Sequence, residues 1–176
     1  GALEFSEKAA GKGVQPLLGA ELALDFEAAS ERIYDRNHDR GQFGKSSVVL
    51  IAGNEAGYAN LSRLVSRAYL EGEAGRAAAQ LAWLDHDNVA GIMCLSGGPE
   101  GAIDPYFAAG LDGQAENRLE ALRHLFGDRL YIELQRHGRQ NEIGSEARLI
   151  DYAYRRGVPL VATNEPYFAG KGDYEA

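Results

Sequence analysis

Short apolar runs, several of them β-branched, alternate along this chain with longer stretches of three- and four-residue periodicity. No other feature constrains the fold as strongly. SVVLIA at 47–52, VAGIMCL at 89–95, RLYIEL at 129–134 and PLVAT at 159–163 are short and apolar enough to be strands. SVVLIA has the continuous apolarity of a strand buried on both faces. LLGAELALDF at 17–26 reads as extended, and Pro159 opens the last strand, where its missing N–H is tolerated. Between these runs the periodicity predicts helices. One covers 2–10 and stops at Gly11-Lys12-Gly13. A second follows Gly53, with Tyr58, Leu61, Val65, Ala68 and Tyr69 as its apolar stripe. AAAQLAWL at 77–84 predicts a short helix and 101–110 a weak one. Leu111, Ala115, Leu119, Leu122 and Phe126 mark a stronger helix that Gly127 stops. Ile143, Ala147, Ile150 and Tyr154 predict the inward face of a helix ending at Gly157. Residues 27–46 are charged and turn-rich, as in an exposed loop, and their Arg36, Arg40 and Lys45 are expected to face solvent.

Strands alternating with helices imply βα units, right-handed crossovers and a mainly parallel sheet. A complete eight-stranded barrel needs roughly 250 residues, and this chain has 176. It is therefore a small open α/β sheet or a piece of a larger barrel. Apolar residues make up 45% and charged residues 25%, the balance of a globular domain rather than a disordered tail. No apolar run approaches the roughly 20 residues that span a bilayer, so no membrane partner is expected. A single cysteine, Cys94, cannot form an internal disulfide and points to the cytoplasm. Eighteen basic against 26 acidic residues give a net charge of −8, which predicts weak binding to nucleic acid by this segment alone.

Functional groups of parallel α/β folds gather at the carboxyl ends of strands. Those ends carry Glu21, Asn54 and Glu55, Ser96 to Gly98, Gln135-Arg136-His137, and Asn164-Glu165. A carboxylate, an imidazole and a guanidinium on one rim would suit a hydrolytic or metal site, although loops after strands are polar for solvation alone. Metal-ligand spacing is missing. His38, His86, His124 and His137 are dispersed, with no HxH, HExxH or CxxC. The first three read as surface histidines and His137 as a hydrogen-bonded rim residue. GQFGKS at 41–46 has its first glycine too close to the lysine for a phosphate loop and precedes a strand. Gly11 and Gly13 end a helix instead of following a strand, unlike a dinucleotide turn. Cys94 reads as inert packing. Ser96 lacks the GxSxG context of a hydrolase nucleophile.

Five segments in order, GALEFSEKAAGKGVQPLLGAEL, VVLIAGNEAGYANLSRLVSRAYLE, GIMCLSGGPEG, FGDRLYIELQRHG and GVPLVATNEPYF, closely resemble successive blocks of one family. It is the PHP (polymerase and histidinol phosphatase) domain of bacterial replicative polymerases, the DNA polymerase III alpha subunits. FSEKAAGKG and ATNEPYF look most like the alphaproteobacterial type. The resemblance implies an incomplete, distorted (βα)7 TIM-like barrel. Residues 1–176 would form a partial PHP domain, lacking the first two strands of the barrel and the downstream polymerase domains. The family's His-x-His motif would lie upstream of this segment.

Metal-binding members hold a metal cluster at the strand ends, and the resemblance carries over position by position. The family's acidic residue is retained as Glu21. Ser47 stands where a histidine usually precedes the next strand, and Gly98 stands where a cysteine ends the SGC motif. The closing Asp-x-His becomes Glu165 and Tyr167. Three lost donors imply a vestigial site with no metal expected and no catalytic residue, with Arg136, His137 and Asn164 as rim residues. The implied role is a non-catalytic scaffold against the polymerase core of the same chain, which also docks the proofreading exonuclease (epsilon) subunit. DNA would be contacted through the parent DNA-directed DNA polymerase, a nucleotidyltransferase of DNA replication that uses Mg2+. The alternative is an active phosphoesterase, a 3′–5′ exonuclease or a small-molecule phosphatase, using Zn2+ or Mn2+.

Overall fold

A computed structural model describes residues 2–26, 46–72 and 77–164. The elements are α1 (Ala2–Ala10), β1 (Gly19–Asp25), β2 (Ser47–Ala52), α2 (Glu55–Glu71), β3 (Ala78–Gln80), β4 (Ile92–Leu95), α3 (Asp104–Ala108), α4 (Asp112–Phe126), β5 (Leu130–Leu134), α5 (Gln140–Arg156) and β6 (Leu160–Ala162). The strands form one six-stranded sheet in the order β3-β1-β2-β4-β5-β6. β1 runs parallel to β3, and β4, β5 and β6 are parallel in sequence. β2 is antiparallel to both of its neighbours, so it alone runs against the other five. The expected mainly parallel α/β sheet is present, with two strand pairs of opposite sense at its centre.

The core lies between one face of the sheet and the helices. Leu22, Leu24, Val48, Leu50, Ile92, Cys94, Leu130 and Ile132 point from the strands into it. Leu61, Leu64 and Ala68 of α2, Phe107 of α3, Leu119, Leu122 and Phe126 of α4, and Leu149 and Tyr152 of α5 meet them. Alternation along β1 leaves Glu21 on the opposite, open face while Leu22 and Leu24 are buried. The same alternation leaves Val49 and Ile51 only half-buried. SVVLIA is therefore covered on one face rather than two.

Helix α2 begins where the Asn54 side chain accepts from the Gly57 N–H at 2.9 Å. A Cβ on Gly57 would lie 2.0 Å from the Gly91 carbonyl oxygen, so only glycine lets the helix approach the turn before β4. On the far side of the core, α4 and α5 are joined by a ladder of ion pairs. Arg148 meets Asp112 at 2.8 Å, Arg155 meets Glu116 at 2.7 Å and Arg156 meets Glu120 at 3.0 Å. The Tyr152 hydroxyl donates to Glu120 at 3.0 Å.

Three local expectations are corrected. The alanine-rich segment at 77–84 is the strand β3 followed by a 3-10 turn at Leu81–Trp83. Pairing of Ala78–Gln80 with the end of β1 outweighs the helical preference of alanine. In α2 the buried residues are Gly57, Leu61, Leu64 and Ala68, whereas Tyr58 and Tyr69 are exposed. In α5 the predicted face is turned outward. Ile143 is 66% and Tyr154 80% exposed, while Glu142, Ser145, Leu149, Tyr152 and Ala153 are buried. Polar residues hold the inward positions of the first turns because each finds a hydrogen-bond partner there. Arg36, Arg40, Lys45, His38 and the GQFGK glycines lie outside the described residues.

Candidate functional site

The reversal of β2 decides which residues share the carboxyl rim of the sheet. β2 brings its first residue, Ser47, to the edge where β1, β4, β5 and β6 end. Asn54 and Glu55, expected on that rim, follow the far end of β2 and sit at the opposite edge, beside Gly91 at the start of β4. Strand direction, which the sequence pattern does not encode, accounts for the difference.

β4 leaves the sheet through Ser96, Gly97 and Gly98. Gly97 has φ +98° and Gly98 φ +64°, a left-handed pair that only glycine enters at low cost. A Cβ on Gly97 would fall 2.2 Å from the Ser47 carbonyl oxygen, so the two halves of the rim touch at this turn. A Cβ on Gly98 would lie 3.0 Å from the Gln135 amide nitrogen. A cysteine at this position would both strain the backbone and displace Gln135.

The turn closes over a buried carboxylate, Glu133, which β5 presents on the face opposite to Leu130 and Ile132. Its Oε2 accepts from the Gly97 N–H at 3.2 Å, and its backbone N–H donates to Ser96 Oγ at 3.0 Å. Its Oε1 accepts from the Gln135 amide at 3.1 Å and from the Thr163 hydroxyl. The same Gln135 nitrogen donates to Thr163 Oγ1 at 3.2 Å. Glu133 thereby ties the ends of β4, β5 and β6 together through neutral donors. Gln135 was legible as a rim residue. Glu133 was missed, and the signal that could have found it is the single acid inside RLYIEL.

Beyond β5, His137 bridges two elements. Its Nδ1 lies 3.0 Å from Glu142 Oε1, and its Nε2 lies 2.7 Å from Asn164 Oδ1. The bond to Asn164, and then that to Glu142, raise its pKa above the usual 6.5. Burial works to raise the Glu142 carboxyl, but hydrogen bonds from the Arg139 and His137 backbone and the His137 ring outweigh it, and the net shift is downward. Glu142 stands three residues after Arg139 and accepts from its N–H at 3.0 Å, as the acid of a capping box does. Arg136 reaches outward to Glu146 at 2.8 Å and is exposed. His137 and Asn164 are thus brought together, and Arg136 stands apart from them.

On the other half of the rim, Ser47 Oγ donates to Glu21 Oε1 at 2.6 Å. Ser47 is buried and Glu21 exposed. Glu165 and Tyr167 lie outside the described residues. Among the described residues, no three His, Cys, Asp or Glu side chains are gathered so that they could hold a metal ion. The positions of the family's donors present a carboxylate, a hydroxyl already engaged by it and a glycine. Among the described residues that set falls short of the three or four good donors a zinc-type centre takes.

The remaining candidates occupy structural positions. Cys94 is buried, and burial, then the charge of Glu133, push its thiol pKa far up, so it packs as an inert apolar residue. Ser96 is buried and spends its hydroxyl oxygen on the Glu133 N–H. His86 and His124 are exposed as expected, yet their rings meet edge to face at 5.2 Å between centroids. No helix among the described residues is long and apolar enough to cross a membrane.

The PHP domain family matches residues 1–137. Over its whole length the chain is 39% identical to the DNA polymerase III subunit alpha of Caulobacter vibrioides, of which it covers 15%. It is 34% identical to that of Thermus aquaticus, covering 14%, and 31% identical to that of Borreliella burgdorferi, covering 15%. The chain therefore spans about one seventh of the length of these relatives. The TIM-like fold of the PHP family accords with the mostly parallel six-stranded sheet. By this match and by the ordered motifs it shares with them, the chain belongs to the PHP domain family, in the form carried by DNA polymerase III alpha subunits.

Proposed function

We propose that this domain is a non-catalytic scaffold of a replicative DNA polymerase and that its metal site is vestigial. Its role is to support the polymerase core of the same subunit and to offer a surface to the proofreading exonuclease subunit. DNA contact and the Mg2+ of nucleotidyl transfer belong to the parent subunit, in the cytoplasm. The observation that carries this reading is the packing of Gly98 against Gln135. At a position where metal-binding relatives place a cysteine, the backbone is left-handed and a side chain would press on the Gln135 amide, 3.0 Å from its Cβ. The Ser47 hydroxyl, at the expected histidine position, is engaged by Glu21. The apolar framework beside both meanwhile forms one continuous buried core.

The test is metal content and 3′–5′ exonuclease activity of the full-length alpha subunit. The expected outcome is substoichiometric zinc and manganese, with no nuclease activity that added metal restores. Stoichiometric metal with metal-dependent hydrolysis would favour the second reading, an active phosphoesterase. The bridging of Glu142 and Asn164 by His137 at the rim is the observation on that side.

A further inference from the structure

One buried acid near this rim is only partly compensated. Asp104 opens α3 and faces α5, where Ser145 Oγ donates to its Oδ2 at 3.1 Å. Its Oδ1 is buried and has no hydrogen-bond partner among the described residues. The helices meet closely here: a Cβ on Gly144 would lie 3.2 Å from the Ala108 backbone. The charged groups around Asp104 are acids or are engaged elsewhere. Glu133 of β5 and Glu142 of α5 both act on it as negative charges. Glu142 is held by His137 and the Arg139 backbone, and Arg139 reaches Glu100 of the preceding turn. Arg118 of α4 stacks on Tyr106 and donates to Ser46 Oγ and the Ala102 carbonyl.

A carboxylate in such a place, with only the Ser145 hydroxyl and its own backbone N–H as donors and two like charges nearby, is more stable as the neutral acid. We propose that Asp104 is a proton-dependent latch between α3 and α5, closed by a proton taken up on folding and loosened when that proton leaves. Burial, only partly offset by the Ser145 bond and reinforced by Glu133 and Glu142, lifts its pKa to about 7. The folded value lies above the unfolded 3.8, so the folded state holds the extra proton between these limits. Stability from this group is full below pH 3.8 and declines as pH rises toward 7. The element at risk is the turn over the rim, because Asn141 of α5 donates to the Pro99 carbonyl at 3.1 Å.

The test is a carbon-13 carboxyl titration of Asp104 in the 176-residue chain, paired with denaturant unfolding of wild type and Asp104→Asn. The expected midpoint is near 7. Between pH 4 and 7 the unfolding constant of wild type should gain up to about tenfold per pH unit relative to Asp104→Asn. A midpoint near 4, or parallel pH profiles for the two proteins, overturns the latch. If Asp104→Asn does not fold, the wild-type midpoint decides alone.

Discussion

Two carboxylate–hydroxyl pairs join neighbouring strands of this sheet, and burial separates them. Glu21 and Ser47 meet across β1 and β2 with the carboxylate in solvent, whereas Glu133 and Thr163 meet across β5 and β6 with the carboxylate buried. In the first pair Glu21 is open to water, which can replace Ser47 as its donor at small cost. In the second, three donors converge on one buried acid. Removing any member leaves the rest exposed to the full cost of desolvation. The same chemistry is an accessory at one end of the rim and a structural knot at the other.

The largest effect should come from the knot itself. Glu133→Leu would strand the Gln135 amide, the Thr163 hydroxyl and the Gly97 N–H, with an expected loss of about 3 kcal/mol in urea unfolding. A loss below 1 kcal/mol would mean that the buried pair behaves like the exposed one. Thr163→Val keeps the shape and removes one donor, so about 1–2 kcal/mol is expected by the same measurement. Ser47→Ala should cost less, about 0.5–1 kcal/mol, because Glu21 turns to solvent. A cost equal to that of Thr163→Val would erase the contrast.

The smallest expected effect is a shift in titration. His137 has a folded pKa above 6.5, so its stabilising contribution is complete below 6.5 and fades as pH rises through the folded value. Glu142 has the opposite sign: its contribution is present above 4.5 and fades as pH falls through its lowered value. Asn164→Ala should move the His137 midpoint back toward 6.5 in a proton NMR titration. An unchanged midpoint would show that Glu142 alone sets it.

Much of this architecture could be read from residue patterns, and the failures share one cause. α4 was legible down to its buried residues, because Leu119, Leu122 and Phe126 fall on one apolar stripe and Gly127 stops it. β5 and β6 were legible because short β-branched runs between glycines and prolines leave few alternatives. The face of α5 was not. Glu142 and Ser145 occupy inward positions through partners distant in sequence, His137 and Asp104, that local periodicity cannot reveal. β3 was hidden for the same reason, since only pairing with β1 makes its alanines a strand. At the site, His137, Asn164 and Gln135 were found by position on the rim. Glu133 and Asp104 were missed because each is a single acid in an apolar context, a pattern that burial alone turns into a feature. The direction of β2, and with it the loss of Asn54 and Glu55 from the rim, has no signature in composition.

That reversed strand also shapes what the domain tolerates. β1 and β2 form an antiparallel pair, so the chain leaves one and enters the other at the same edge of the sheet. Length can then be added between them without moving either strand, since each doubling of a flexible connection costs only about 0.6 kcal/mol in closure entropy. A change of length at this junction therefore leaves the pairing of β1 with β2 unchanged.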